Sequence, residues 1–113
     1  MNLAQAAATY DLCTSGGDVL IQASVVYVTT PGATWTSVSV QTDDGTPFTV
    51  LSAADGAVAN FGGGASIVPT SKTNWFYLKK GKKLQYTIVG TTGTGAADVV
   101  LSVVKVNQAG SLS

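Results

Sequence analysis

The stretch Asn74-Trp75-Phe76-Tyr77-Leu78-Lys79-Lys80-Gly81-Lys82-Lys83-Leu84-Gln85-Tyr86-Thr87-Ile88-Val89 decides the fold class. Aromatic and aliphatic residues run into four lysines set around one glycine, and alternation follows, with Leu84, Tyr86 and Ile88 on one face. A period of two is the mark of a strand with one apolar side, and a short lysine cluster around glycine reads as a turn facing water. The spacing predicts strands over 74–78 and 84–89. After Gly-Thr-Thr-Gly-Thr-Gly at 90–95, read as a loop, Ala97 to Val106 forms a last strand with Val99, Leu101 and Val103 on its apolar face.

Upstream, breakers recur about every ten residues, the spacing of a sandwich or barrel of short strands. They are Ser15-Gly16-Gly17, Thr30-Pro31-Gly32, Asp43-Asp44-Gly45, Asp55-Gly56 and Gly62-Gly63-Gly64. Val19 to Thr29 reads as a central strand, with Val19, Ile21, Ala23, Val25 and Tyr27 on one face and Leu20, Gln22, Ser24, Val26 and Val28 on the other, covered on both sides near its end. Thr34 to Thr42 sets Thr36, Val38 and Val40 against Trp35, Ser37 and Ser39, one buried face and one hydroxyl-lined face. Asp-Asp-Gly suits a tight hairpin, and Thr46 to Ser52 follows with Phe48 and Val50 inward. Ala53 to Phe61 reads as a connection with a short strand near Ala57 to Asn60. Ala65 to Pro69 is an edge strand, because Pro69 has no N–H for a ladder. No window supports a helix. The expected fold is all-β: an antiparallel β-sandwich, jelly-roll-like, of seven to eight strands.

The division expected is residues 1–17 as an N-terminal arm and 18–113 as the β-sandwich domain. The first segment combines an alanine-rich start with Tyr10-Asp11-Leu12 and ends at two glycines. Extended, it reaches roughly 55 Å at about 3.3 Å per residue, enough to cross to a neighbouring subunit. A frayed terminus is the other open reading.

Composition bounds the chemistry. The chain of 113 residues has no histidine, arginine or glutamate and one cysteine, Cys13. Histidine is the side chain most easily poised for proton transfer near neutral pH, so no catalytic residue is expected and the chain reads as a non-enzyme. A lone cysteine makes no internal disulfide and no cysteine metal site; its plain reading is a partly buried small hydrophobe. Asp43 and Asp44 fit a hairpin better than an acid–base pair, and Asp43, Asp44 and Asp55 match no calcium loop. The glycine runs lack the Lys-Ser/Thr ending of a phosphate loop. No cofactor and no metal are expected.

The charged fraction is 11% and the formal net charge zero, against about 25% charged residues in ordinary domains. A neutral surface lacks the repulsion that keeps monomers dispersed, which predicts self-association or docking on something large. Neutrality also argues against nucleic acid, whose phosphates demand several uncompensated lysines or arginines. No stretch is long and apolar enough for a membrane-spanning helix, and the first eight residues lack the basic start of a secretory signal. Trp35, and Trp75 with Phe76 and Tyr77, are either core residues or, where exposed, anchors for a partner.

The run from Asn74 to Gly90 with the final strand, together with the N-terminal arm, the Gly-Gly entry and the Thr-Pro-Gly turn, resembles bacteriophage capsid decoration proteins, also called cement or staple proteins, of jelly-roll or related β-sandwich fold, over roughly residues 10–106. That resemblance implies a structural protein on the outer surface of the virion. It would bind the major capsid protein in many copies, form a homo-oligomer (dimer or trimer), and brace the head by bridging subunits, without nucleic acid or membrane. The expected contacts are Leu3, Tyr10 and Leu12 on the arm, and Trp75, Phe76, Lys79, Lys80, Lys82 and Lys83 on the hairpin, with Trp35 as a further candidate. The alternative is a receptor- or glycan-binding module of a head fibre, tail fibre or other adhesin, with Trp35 or Trp75 stacking on sugar.

Overall fold

The computed structural model describes residues 1–43, 48–68 and 76–105, with the backbone alone at 22, 23, 76, 104 and 105. Six strands form one hydrogen-bonded system: β1 (Thr9–Thr14), β2 (Val19–Thr42), β3 (Thr49–Leu51), β4 (Ser66–Ile67), β5 (Phe76–Leu78) and β6 (Lys83–Lys105). All pairings are antiparallel. No α-helix occurs among the described residues; a single 3-10 turn spans Val58–Asn60.

Two long strands organise the molecule. β2 and β6 pair from Val19↔Lys105 through to Thr42↔Leu84. A straight strand of 24 residues would span about 80 Å, yet the longest dimension is 49 Å. The ribbon is therefore folded on itself. β5 pairs with the beginning of β2 (Val19↔Leu78), and after four intervening residues β6 opens opposite the end of β2 (Thr42↔Leu84). The short Lys79–Lys82 turn thus crosses from one leg of the ribbon to the other.

Two sheets result. In the first, β4 and β5 flank the early half of β2, which pairs with the late half of β6. In the second, the order is β1-β6-β2-β3, using the other halves. The chain is an antiparallel β-sandwich, and counting β2 and β6 as two straight segments each turns six strands into eight.

The fold of the ribbon lies where the sequence suggested interruptions. Residues 30–34 and 90–95 stay within β2 and β6, and register shifts gather between Val28 and Ser37. Successive bulges bend and twist a ladder without ending it, so the expected Thr-Pro-Gly turn and Gly-Thr loop are corners of continuous strands. Thr34 takes φ 83°, a left-handed conformation rare for a β-branched residue. A Cβ at Gly93 would lie 1.8 Å from the Ala33 carbonyl oxygen, so only glycine admits the approach of the two strands there. Trp35 fills the corner: it is 1% exposed, donates Nε1–H to the Thr94 carbonyl at 2.7 Å, and meets Phe61 edge to face at 4.9 Å between centroids.

The N-terminal segment corrects the arm reading. Leu3 is fully buried in the core cluster, its N–H donating to the Gly95 carbonyl at 2.9 Å. Asn2 bridges to Ala96, and β1 pairs with β6 from Thr9↔Thr87 to Thr14↔Lys83. Tyr10 stacks on Tyr86 at 5.5 Å, and the Tyr86 hydroxyl bonds the Gln5 side chain at 3.0 Å. Hydrophobic burial and ladder bonds fasten this stretch along the edge of the second sheet instead of leaving it to reach a neighbour.

Faces follow from register. In the second sheet Val38, Val40, Thr42, Leu84, Tyr86, Ile88 and Val50 are buried inward. In the first, Val26, Val28 and Ala97 point in while Tyr27 points out, 45% exposed. A bulge between Ile21 and Ala23 returns Ile21 to the inside, where it is 1% exposed. The expectation that this strand is covered on both sides is thus overturned at Tyr27. So is the simple alternation of 34–42, since the shift between Trp35 and Ser37 buries both of these together with Val38 and Val40. The short strand expected near 57–60 is one bridge, Ser37↔Ala57, followed by the 3-10 turn.

Candidate docking face

The two sheets present very different surfaces to solvent. The outer side of the second carries a polar network, with one exposed aliphatic side chain, Val89, at its end. Thr87 Oγ1 lies 2.9 Å from Thr9 Oγ1 and accepts from Gln41 Nε2 at 3.0 Å. Asp11 accepts from Gln85 Nε2 at 2.9 Å and from Lys83 Nζ at 3.0 Å. Those two donors, Gln85 first, hold the Asp11 carboxyl below its usual value, and Asp11 in turn raises the Lys83 ammonium. Cross-strand pairs of this kind satisfy one another and leave little for a partner.

The outer side of the first sheet carries an apolar stripe, bordered by the exposed Asp98, Ser102 and Ser66. Register places Tyr77 beside Leu20, Val25 beside Val100, and Tyr27 beside Asp98, all on that side. Tyr77 is 40%, Val100 52% and Tyr27 45% exposed. The stripe runs roughly 20 Å along the strands at about 3.3 Å per residue, with a tyrosine at each end. Tyrosine offers a large apolar body and a hydroxyl at modest entropic cost, which suits it to contact surfaces. Beside the stripe lies a shallow depression of about 200 Å³ lined by Ser24, Val25, Val100, Leu101 and Ser102.

The lysine turn adjoins the Tyr77 end. It is a turn between two strands as expected, with Gly81 at φ 84° supplying the left-handed position. Its backbone is tied to the preceding crossing: Gly81 N–H donates to the Ser15 carbonyl at 2.9 Å, Ser15 N–H to the Lys82 carbonyl at 2.8 Å, and Lys80 N–H to Asp18 Oδ1 at 2.8 Å. Burial and the Asp18 carboxylate raise the Tyr77 phenol above its ordinary value. Lys79, Lys80 and Lys82 project into solvent, whereas Lys83 is engaged with Asp11.

The expected contact residues are therefore dispersed. Lys79, Lys80 and Lys82 stand exposed on one rigid turn. Leu3 and Trp35 are core residues, with Tyr10 and Leu12 packed against that core. Phe76 lies in β5, and Trp75 lies outside the described residues. Cys13 is exposed, not partly buried. Sequence reasoning missed Val25 and Tyr27, on a strand it read as covered on both sides, and Val100, to which it gave no role. Its signal was present in Tyr27-Val28 alternation but masked by the bulge after Ile21. Among the described residues no cluster of three His, Cys, Asp or Glu side chains could hold a metal, and no helix is long and apolar enough to cross a membrane. No family model, curated protein or solved structure matches this chain.

Proposed function

We propose that this protein is a structural capsid component of the decoration type. It docks on the outside of an assembled phage head through the outer side of its first sheet and bridges subunits of the major capsid protein. The observation that carries the reading is the exposed apolar stripe of Tyr77, Leu20, Val25, Val100 and Tyr27 on a rigid sandwich whose opposite surface is polar and self-satisfied. Contiguous exposed apolar surface marks an interaction site. Lys79, Lys80 and Lys82 beside it give the face a positive rim for an acidic partner surface, steering encounter more than adding affinity.

The mechanism is linkage. A protein that binds the assembled shell and not its free subunits stabilises the shell by mass action, and several contacts on one particle reinforce one another by effective concentration. The glycan-binding alternative loses Trp35 as a stacking platform, because that indole is sealed in the corner of the ribbon. The test is sedimentation with heads of the parent phage that lack this chain. Binding at a fixed copy number that is lost in Tyr27→Lys supports the proposal; absence of head binding together with retention on a glycan array overturns it.

A further inference from the structure

We infer that two copies of this chain join edge to edge, antiparallel, through the Asp98–Lys105 segment of β6, so that the first sheets of both copies become one. Among the described residues, the segment is the margin of the first sheet with no further strand beside it. Along β6, the N-terminal part of the chain covers the same margin elsewhere: Asn2 bridges Ala96, Met1 carbonyl accepts from Ala97 N–H at 3.1 Å, Ala8 carbonyl accepts from Ile88 N–H, and β1 pairs from Thr87 to Lys83. Among the described residues that cover stops beyond Ala97, and Asp98 to Lys105 pairs only with β2.

The other margins are blunted in the ways that prevent strand addition, namely shortness, bulges and charge. β3 is three residues long and itself carries a bulge at Val50, where two of its residues face one step of β2; β4 has two residues and β5 three. β1 carries the exposed Asp11 and a bulge between Asp11 and Cys13. The β6 segment has none of these. It is regular on its own side, the shift between Ile21 and Ala23 being an extra residue in β2. Its sequence, Asp-Val-Val-Leu-Ser-Val-Val-Lys, contains no proline or glycine and is charged only at its ends. Val100 and Val103, on opposite sides of the sheet, are 52% and 50% exposed.

A second copy is the occupant this edge fits. A two-fold axis perpendicular to the sheet must pair residues of the same face, and an axis at Leu101 sets Leu101 against itself, Val99 against Val103 and Val100 against Ser102. No charge then opposes its like: each Asp98 stands across from position 104 of its mate, far from the other Asp98. The contact is isologous, so each favourable pair occurs twice. The zero net charge of the chain adds no long-range repulsion. Because such an axis keeps both outer sides on one face of the joined sheet, the two tyrosine-valine stripes become continuous, doubling the surface proposed to dock. The pairing itself needs no capsid, so its failure and the failure of head docking are separate results.

The experiment is sedimentation equilibrium of the full chain up to about 0.1 mM, a range that captures weak specific association, with Val100→Lys/Val103→Lys as the variant. The wild type is expected at twice the 11.4 kDa chain mass, and the variant at the single-chain mass with an unchanged β-sheet spectrum. To fix the register, Leu101→Cys in a Cys13→Ser background is oxidised; a covalent dimer is expected, while Val89→Cys on the other sheet stays monomeric. A wild type that is monomeric throughout, or a dimer that survives the double lysine variant, overturns the inference, as does preferential cross-linking of Val89→Cys.

Discussion

The outer surfaces of the two sheets are made by the same two strands, a few turns of chain apart, and they end in opposite states. On the second sheet, Thr9, Gln41, Thr87, Gln85, Asp11 and Lys83 bond one another across three strands. On the first, Tyr27, Val100 and Tyr77 stand half exposed. Polar side chains there satisfy themselves; apolar ones here await cover. A β-sandwich needs only its inner faces to fold, so the outer faces are free to diverge, and the docking proposal rests on that divergence.

That comparison can be broken or sharpened by substitution. The largest effect is expected at the corner both sheets share. Trp35→Ala removes a buried indole and leaves the Thr94 carbonyl without its donor, which should cost about 3–5 kcal/mol in chemical denaturation and abolish the difference between the faces by loosening both. A loss under 1 kcal/mol would contradict the folded-ribbon account. Tyr27→Lys comes next. It should remove about 2 kcal/mol or more of docking free energy, roughly thirty-fold in affinity, while the melting transition moves by no more than about 0.5 kcal/mol.

Thr87→Val acts on the opposite surface with the opposite pattern. It deletes the hydroxyl shared by Thr9 and Gln41, so stability should fall by about 1 kcal/mol with docking unchanged; weaker docking with full stability would place the contact on the wrong sheet. The smallest effect is in acid. Asp11 is held below the ordinary carboxylate value by Gln85 and Lys83. Its contribution is therefore present above that ordinary range and fades as pH falls through the depressed folded value. Asp11→Asn should flatten this part of the melting-temperature profile slightly and leave neutral-pH docking intact.

Much of the fold was legible because it rests on alternation. Leu84, Tyr86 and Ile88 are buried as their period requires, Val50 points inward, and the lysine cluster is a turn. What escaped was the meaning of glycine within a strand. Gly90, Gly93 and Gly95 look like a loop by composition, yet their freedom from a Cβ lets two strands bend together around Trp35. The same limit hid the N-terminal segment, since nothing local in Asn2-Leu3-Ala4 announces that Leu3 completes a corner formed by residues 32–35 and 94–97. A single extra residue in β2 shifted the candidate face, because a one-residue slip sends every later side chain to the other side. That the lysines sit on an exposed turn was readable; the tyrosine-valine stripe required the register.

The most direct measurement is hydroxyl-radical footprinting of the tyrosines and valines in free protein and in protein bound to heads. The account predicts that Tyr27, Tyr77 and Val100 are labelled when free and shielded when bound, while Val89 on the second sheet is labelled equally in both. Shielding of Val89 with Tyr27 and Val100 still open would contradict it.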